Sequence, residues 1–273
     1  MAKERPRRIR PRVIASALSP LLLLMLGLGS ALLSACAKDR APVDYRYEVV
    51  EVRPHDTRLF TQGLLIHKGL FYESGGRYRQ SRLVAYDEHA TDPVRELRLP
   101  PHYFAEGLTE LGGQLYLLTW KENTLLTFDK DSFELLEETH YPGEGWGLTD
   151  DNEHLIRSDG SDQLYFHEPQ GFGITRTLSV RENGQAVARL NELEFIEGTL
   201  WANIWHSNRV VQIDPSSGQV IGSIDLSAVV RRENPSGSEA VLNGIAYDEE
   251  HQHFWVTGKS WRHLYRIELQ PEP

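Results

Sequence analysis

The chain has 273 residues, a single cysteine and a formal charge of −10. The acidic balance argues against nucleic acid and anionic lipid as partners of the folded part. One cysteine excludes an internal disulfide, and the length beyond residue 36 is ample for a core that needs no covalent staple.

Residues 1–12 carry Lys3, Arg5, Arg7, Arg8, Arg10 and Arg12 against Glu4 alone. An apolar stretch runs from Val13 to Leu33 and ends in Leu33-Ser34-Ala35-Cys36. A basic start, an apolar middle and small residues before a cut site predict a secretory signal over residues 1–35. The cysteine directly after the small residues resembles the lipobox of bacterial lipoproteins, which implies cleavage before Cys36 and lipidation of Cys36. Pro20 and several small residues interrupt a stretch barely long enough to span a bilayer, so an acyl anchor is favoured over a spanning helix. Ala37 follows the cysteine, and the absence of an acid there implies the periplasmic face of the outer membrane in a host with two membranes. Removing residues 1–35 takes away six bases and one acid, which brings the formal charge to −15. Residues 36–44 are then a lipidated cysteine and short linker, ahead of a folded domain over residues 45–270. With Cys36 spent on lipid, no thiol remains for catalysis or metal binding.

Beyond this point helical periodicity is almost absent. Short apolar runs rich in Tyr, Trp, Phe, Leu and Val alternate with Gly, Asp, Asn and Pro, which predicts an all-β fold. Five segments begin with similar words: Thr61-Gln62-Gly63-Leu64, Ala105-Glu106-Gly107-Leu108, Gly145-Trp146-Gly147-Leu148, Leu190-Asn191-Glu192-Leu193 and Leu242-Asn243-Gly244-Ile245. Their second residues lie 44, 40, 45 and 52 positions apart. That period, with several short strands in each, predicts a five-bladed β-propeller of four-stranded antiparallel blades. The second repeat reads as strands over Phe104 to Leu111, Gln114 to Trp120, Thr124 to Asp129 and Phe133 to Tyr141. Tyr45 to Val52 has no blade of its own, and is expected to close the ring beside Leu264 to Leu269.

The repeat also places side chains. The start of a first strand and the end of a second lie at the same end of an antiparallel hairpin. Five hairpins therefore deliver Gln62, Glu106, Trp146, Asn191, Asn243, Trp120, Trp205 and Lys259 to one mouth of one channel. Equivalent backbone positions hold an acid, carboxamides and an indole, and this departure from the repeat marks a site. The competing readings are structural: tryptophans filling space between blades, asparagines capping strand ends, and an ordinary ion pair between Glu106 and Lys259.

The same words carry a family resemblance. Phe60-Thr61-Gln62-Gly63-Leu64, Phe104-Ala105-Glu106-Gly107-Leu108-Thr109, Gly143-Glu144-Gly145-Trp146-Gly147-Leu148, Leu190-Asn191-Glu192-Leu193-Glu194, Trp201-Ala202-Asn203-Ile204-Trp205 and Thr257-Gly258-Lys259-Ser260-Trp261 occur in order. They resemble the glutaminyl-peptide cyclotransferases of plants and bacteria, from about Tyr45 to Leu269. The resemblance implies a five-bladed propeller and site residues Phe60, Gln62, Phe104, Glu106, Trp120, Trp146, Asn191, Trp205 and Lys259. It implies cyclisation of N-terminal glutamine of peptides to pyroglutamate, by a domain acting as a monomer. In that reading Glu106 shuttles the proton, and Lys259 and Asn191 stabilise the oxyanion. Gln62 binds the substrate amine or backbone, and Phe60, Phe104, Trp120, Trp146 and Trp205 form an aromatic box. No cofactor or metal is required for this chemistry; a structural cation in the channel stays open. The polar insertion Arg231 to Glu239 is expected to shape access to the site. Two other classes remain at this point: a non-catalytic propeller binding peptides or partner proteins, and a propeller such as a lactonase. The second class needs clustered acids around calcium, which an aromatic mouth disfavours.

Overall fold

A computed structural model describes residues 41–87, 90 and 92–271. The expected signal segment, Cys36 and most of the linker lie outside the described residues. The strands are short and separated by turns, in keeping with the all-β expectation. After β1 (Val43–Pro54) come β2 (Thr61–His67), β3 (Leu70–Gly75), β4 (Arg82–Asp87) and β5 (Arg95–Arg98). The next sheet holds β6 (Ala105–Leu111), β7 (Gln114–Thr119), β8 (Thr124–Asp129) and β9 (Leu135–His140). A third holds β10 (Leu148–Asp150), β11 (Leu155–Ser158), β12 (Gln163–His167) and β13 (Ile174–Ser179). A two-stranded hairpin, β14 (Arg181–Glu182) and β15 (Gln185–Ala186), precedes β16 (Leu190–Ile196), β17 (Thr199–Ile204), β18 (Arg209–Ile213) and β19 (Val220–Asp225). The helix α1 (Ser227–Glu233) leads to β20 (Leu242–Asp248), β21 (His253–Gly258) and β22 (His263–Pro271).

Three sheets are four-stranded antiparallel meanders, β14 and β15 pair with each other in a two-stranded sheet, and the other eight strands form one sheet. In that sheet β1 runs antiparallel to β22, pairing Tyr47 with Leu269 and Val52 with Tyr265. The N-terminal strand thus takes the outer place expected of it. On its other side β1 pairs in parallel with β19, through Val43 and Gly222. This contact joins two four-strand sets that the sequence presented as separate.

The second strands are tight hairpin partners of the first. Gly112 and Gly113, with φ of 65° and 85°, turn β6 into β7, a conformation that costs glycine little. First and second strands are buried along most of their length, while fourth strands such as β9 are largely exposed. Leucines of neighbouring sheets meet face to face: Leu83 packs in one cluster with Leu108, Leu115, Leu117 and Leu126.

The first strands contact one another in a cycle: β2 with β6, β6 with β10, β10 with β16, β16 with β20, and β20 with β2. The repeated glycine explains how they come so close. A Cβ on Gly63 would collide with the Leu108 backbone, one on Gly107 with Gly147 and Leu148, and one on Gly147 with Asn191. The fourth repeat replaces this glycine with Glu192. Its buried carboxylate accepts the Leu64 and Ile245 backbone N–H groups at 3.4 and 2.8 Å, so a side chain does there what close backbone approach does elsewhere.

The insertion is partly helical. Glu233, 1% exposed, accepts Arg262 N at 2.6 Å, His263 Nδ1 at 2.8 Å and Tyr265 Oη at 2.9 Å. These bonds pin the end of α1 to β22.

Candidate active site

The repeated word does more than start a strand. In four hairpins the register slips inside it: between Thr61 and Gly63, Ala105 and Leu108, Leu190 and Leu193, and Leu242 and Ile245. Gln62, Glu106, Asn191 and Asn243 sit in these slips. A β-bulge re-aims the side chain it carries, and here it turns polar groups toward one end of the assembled sheets. The third repeat reaches the same end without a bulge. Trp146 precedes β10, and its N–H bonds Ser158 O at 3.1 Å.

The result is a cavity of about 360 Å³ lined by Phe60, Gln62, Phe104, Glu106, Trp120, Trp146, Asn191, Trp205 and Lys259, with Arg77 and Glu239. The nine site residues implied by the resemblance therefore face one space, whereas Asn243, also expected at the mouth, does not line it. Asn243 stands behind them. Its Nδ2 donates to Thr61 O at 3.0 Å and to Gln62 Oε1 at 3.4 Å. That fixes the Gln62 amide with its nitrogen toward Glu106 Oε1, 3.0 Å away.

The apolar wall consists of two groups of touching rings. Phe60 meets Phe104 edge to face at 6.4 Å, Phe104 meets Trp120 at 5.4 Å, and Trp146 meets Trp205 edge to face at 5.4 Å. Such pairs hold ring orientation as well as burying area. Cations approach Phe60 on its faces: Lys259 Nζ is 5.1 Å and the Arg77 guanidinium 4.4 Å from the ring centre.

Glu106 and Lys259 are each 5% exposed. Burial pushes the Glu106 carboxyl well above the usual carboxylate range; Lys259 opposes this, and Glu144 and Glu122 add to it. Burial pulls the Lys259 ammonium down, against the charges of Glu106 and Glu239. Among the described residues no ion pair joins Glu106 to Lys259 within 4.0 Å, and Lys259 Nζ has no hydrogen-bond partner. The structural ion-pair reading of these two residues is not what the geometry shows. Asn191 Oδ1 is a buried atom with no hydrogen-bond partner. The site thus holds an elevated acid, a free ammonium and an unused carboxamide oxygen in apolar surroundings. The acid can move a proton, the ammonium can receive a developing negative charge, and the carboxamide oxygen can accept an N–H.

The family model for glutamine cyclotransferase matches residues 22–269. The chain belongs to this family. A curated glutaminyl-peptide cyclotransferase from Arabidopsis thaliana is 41% identical over 228 residues, which is 82% of this chain and 71% of that protein. A crystal structure of the Myxococcus xanthus glutaminyl cyclase is 42% identical, with a TM-score of 0.81, and covers 85% of this chain and 100% of that one.

Three neighbours of the cyclotransferase pocket escaped the sequence reading. Arg77 lies in the loop after β3 and Glu239 in the insertion, where no repeat marks a position. Glu144 stood in the Gly-Glu-Gly-Trp word only as a motif letter, yet its Oε2 accepts both Trp120 Nε1 and Trp146 Nε1.

Proposed function

We infer that this chain is a glutaminyl-peptide cyclotransferase, converting N-terminal glutamine of peptides to pyroglutamate with release of ammonia. The observation that carries this reading is the meeting, in a member of the cyclotransferase family, of buried Glu106 and partnerless Lys259 inside one aromatic pocket. The reaction is intramolecular, so the first task is to fold the substrate side chain back on its own amine. Phe60, Phe104, Trp120, Trp146 and Trp205 do this and exclude water. Gln62 takes the peptide backbone or amine. Glu106 accepts a proton from the α-amine as its nitrogen attacks the side-chain amide carbon. The oxyanion that forms accepts hydrogen bonds from the Lys259 ammonium and the Asn191 Nδ2 N–H. The carbon–nitrogen bond to the leaving group then breaks, and Glu106 returns its proton to that nitrogen, which departs as ammonia.

The fold is read as a five-bladed propeller, supported by the cyclic contacts of β2, β6, β10, β16 and β20. Action as a monomer belongs to the same reading. The buried donor set of one carboxylate, one ammonium and carboxamides supports a metal-independent reaction, one that survives a zinc chelator. The lipobox-like word at Cys36 supports an acyl anchor on the periplasmic side of the outer membrane, and mass spectrometry of the native N-terminus tests it. A peptide-binding platform would keep the aromatic box without needing Glu106 and Lys259 together. Incubation with a glutamine-initiated peptide separates the two: cyclisation releases ammonia and blocks the N-terminus, and binding alone does neither.

A further inference from the structure

Trp120 ends one hairpin and Trp146 begins the next sheet, so nothing in either sheet fixes the two indoles relative to each other. Glu144 does. Its Oε2 accepts Trp120 Nε1 at 2.8 Å and Trp146 Nε1 at 3.0 Å. The backbone around it is held from three sides. Buried Arg157 donates Nη1 to Glu144 O, Gly145 N donates to Trp120 O at 3.1 Å, and Trp146 N donates to Ser158 O at 3.1 Å. Lys121 completes the arrangement, with Nζ 3.8 Å from the Trp120 ring centre and 3.8 Å from Glu144 Oε1.

We propose that Glu144 is a positioning residue that locks both pocket indoles in the orientation needed to hold a folded glutaminyl side chain. The physical reason is torsional. The bond that turns an indole about its stem has a broad, roughly two-fold preference, so an untethered ring can flip its N–H edge. A charge-assisted hydrogen bond at Nε1 forbids the flip unless that bond breaks. One carboxylate oxygen shared by two rings also couples them, so the wall enters the reaction preorganised. The nearby acid is no substitute, because Glu122 is committed to Tyr78 Oη at 2.9 Å and Phe104 N at 3.3 Å.

This inference rests on the cyclotransferase reading for its kinetic test and not for its spectroscopic one. Glu144→Leu removes the acceptor and Glu144→Gln retains one. With a glutamine-initiated peptide, Glu144→Leu is expected to lose about a hundredfold in kcat/KM, the usual effect of a small misplacement near the reacting atoms. Glu144→Gln should recover to within roughly tenfold of wild type, since a neutral acceptor is about half as strong. In protein labelled with ¹⁵N at tryptophan, two of the six indole N–H signals should move and exchange faster in Glu144→Leu. If Glu144→Leu misfolds, Glu144→Asp withdraws the carboxylate by one methylene and should show the same two moving signals. Wild-type kcat/KM in a folded Glu144→Leu overturns the proposal. So does a fall in melting temperature with all indole signals unmoved. Wild-type protein that fails to release ammonia, beside the same indole shifts, would overturn the assigned reaction and leave the tether standing.

Discussion

Gln62 Nε2 and Glu106 Oε1, on neighbouring inner strands, are joined by a hydrogen bond of 3.0 Å. Asn243 orients that amide from behind. The bond holds one oxygen of the acid whether or not the other carries a proton, which suits a group that must take a proton and give it back.

Glu106→Gln preserves shape and much of the hydrogen bonding while removing the base. Turnover should fall by roughly two to four orders of magnitude, the range for general acid–base catalysis. Peptide affinity should change far less, because the aromatic wall remains. Single-turnover kinetics beside calorimetric binding measures both. Near-normal turnover would sink the mechanism proposed for Glu106.

Lys259→Met should slow turnover by roughly two to three orders of magnitude, through loss of oxyanion stabilisation. It should not lower the melting temperature. The ammonium is buried without an ion-pair partner among the described residues, and burial disfavours its charge, so an apolar replacement removes a liability. A structural pair with Glu106 would behave oppositely: each single change would destabilise and the double change would recover. Thermal melts of both singles and the double decide this.

The pH dependence of kcat follows from the same burial. Glu106 must be ionised to accept the proton, and burial raises its carboxyl well above the ordinary range, with Lys259 pulling it down and Glu144 and Glu122 pushing it up. The acid limb of kcat should therefore lie above the ordinary carboxylate value of about 4.3. Glu144→Gln removes a negative neighbour and should move the limb to lower pH. Lys259→Met removes the positive one and should move its residual activity to higher pH. Limbs that stay fixed in both variants would show that another group titrates.

The repeated word made Gln62, Glu106, Trp146, Asn191 and Asn243 legible, because a repeat fixes equivalent backbone positions and a hairpin fixes which ends meet. Its register was not legible. Strand counting sets Glu106 opposite Thr119, whereas Ala105 takes that partner and the next pair is Leu108 with Leu117. A bulge leaves no mark in hydrophobic alternation this short. The helix α1 was hidden for a related reason. Its seven residues are too few to show a period, and its buried anchor is the acid Glu233. The parallel pairing of β1 with β19 depends on which sheet edges end up side by side, and that is set by tertiary packing. Glu144 needed the same knowledge, since its two indole partners lie 24 and two positions away.

A last prediction concerns the buried network behind Gln62. His55 Nε2 lies 3.1 and 3.0 Å from the two Glu73 oxygens, and His55 Nδ1 lies 2.9 Å from Trp261 O. Both ring nitrogens face acceptors, so the ring is held as an imidazolium. Thr61 Oγ1 and Tyr86 Oη donate to the same carboxylate at 2.7 and 2.8 Å. Burial alone would lower the His55 pKa, but the charge and hydrogen bond of Glu73, with help from Trp261 O and Asp56, raise it overall. A histidine raised in the folded state stabilises fully below its unfolded value of about 6.5, and that stability is lost as pH climbs through the folded value. His55→Phe strands Glu73 without its cation and should cost about 3 kcal/mol near pH 6. The gap between wild type and variant should then narrow as pH climbs above about 6.5 through the folded value, as wild type itself loses the imidazolium. Urea denaturation across a pH series measures the gap. A gap that stays constant or widens would show that His55 is held neutral, with Glu73 sustained by Thr61 and Tyr86 alone.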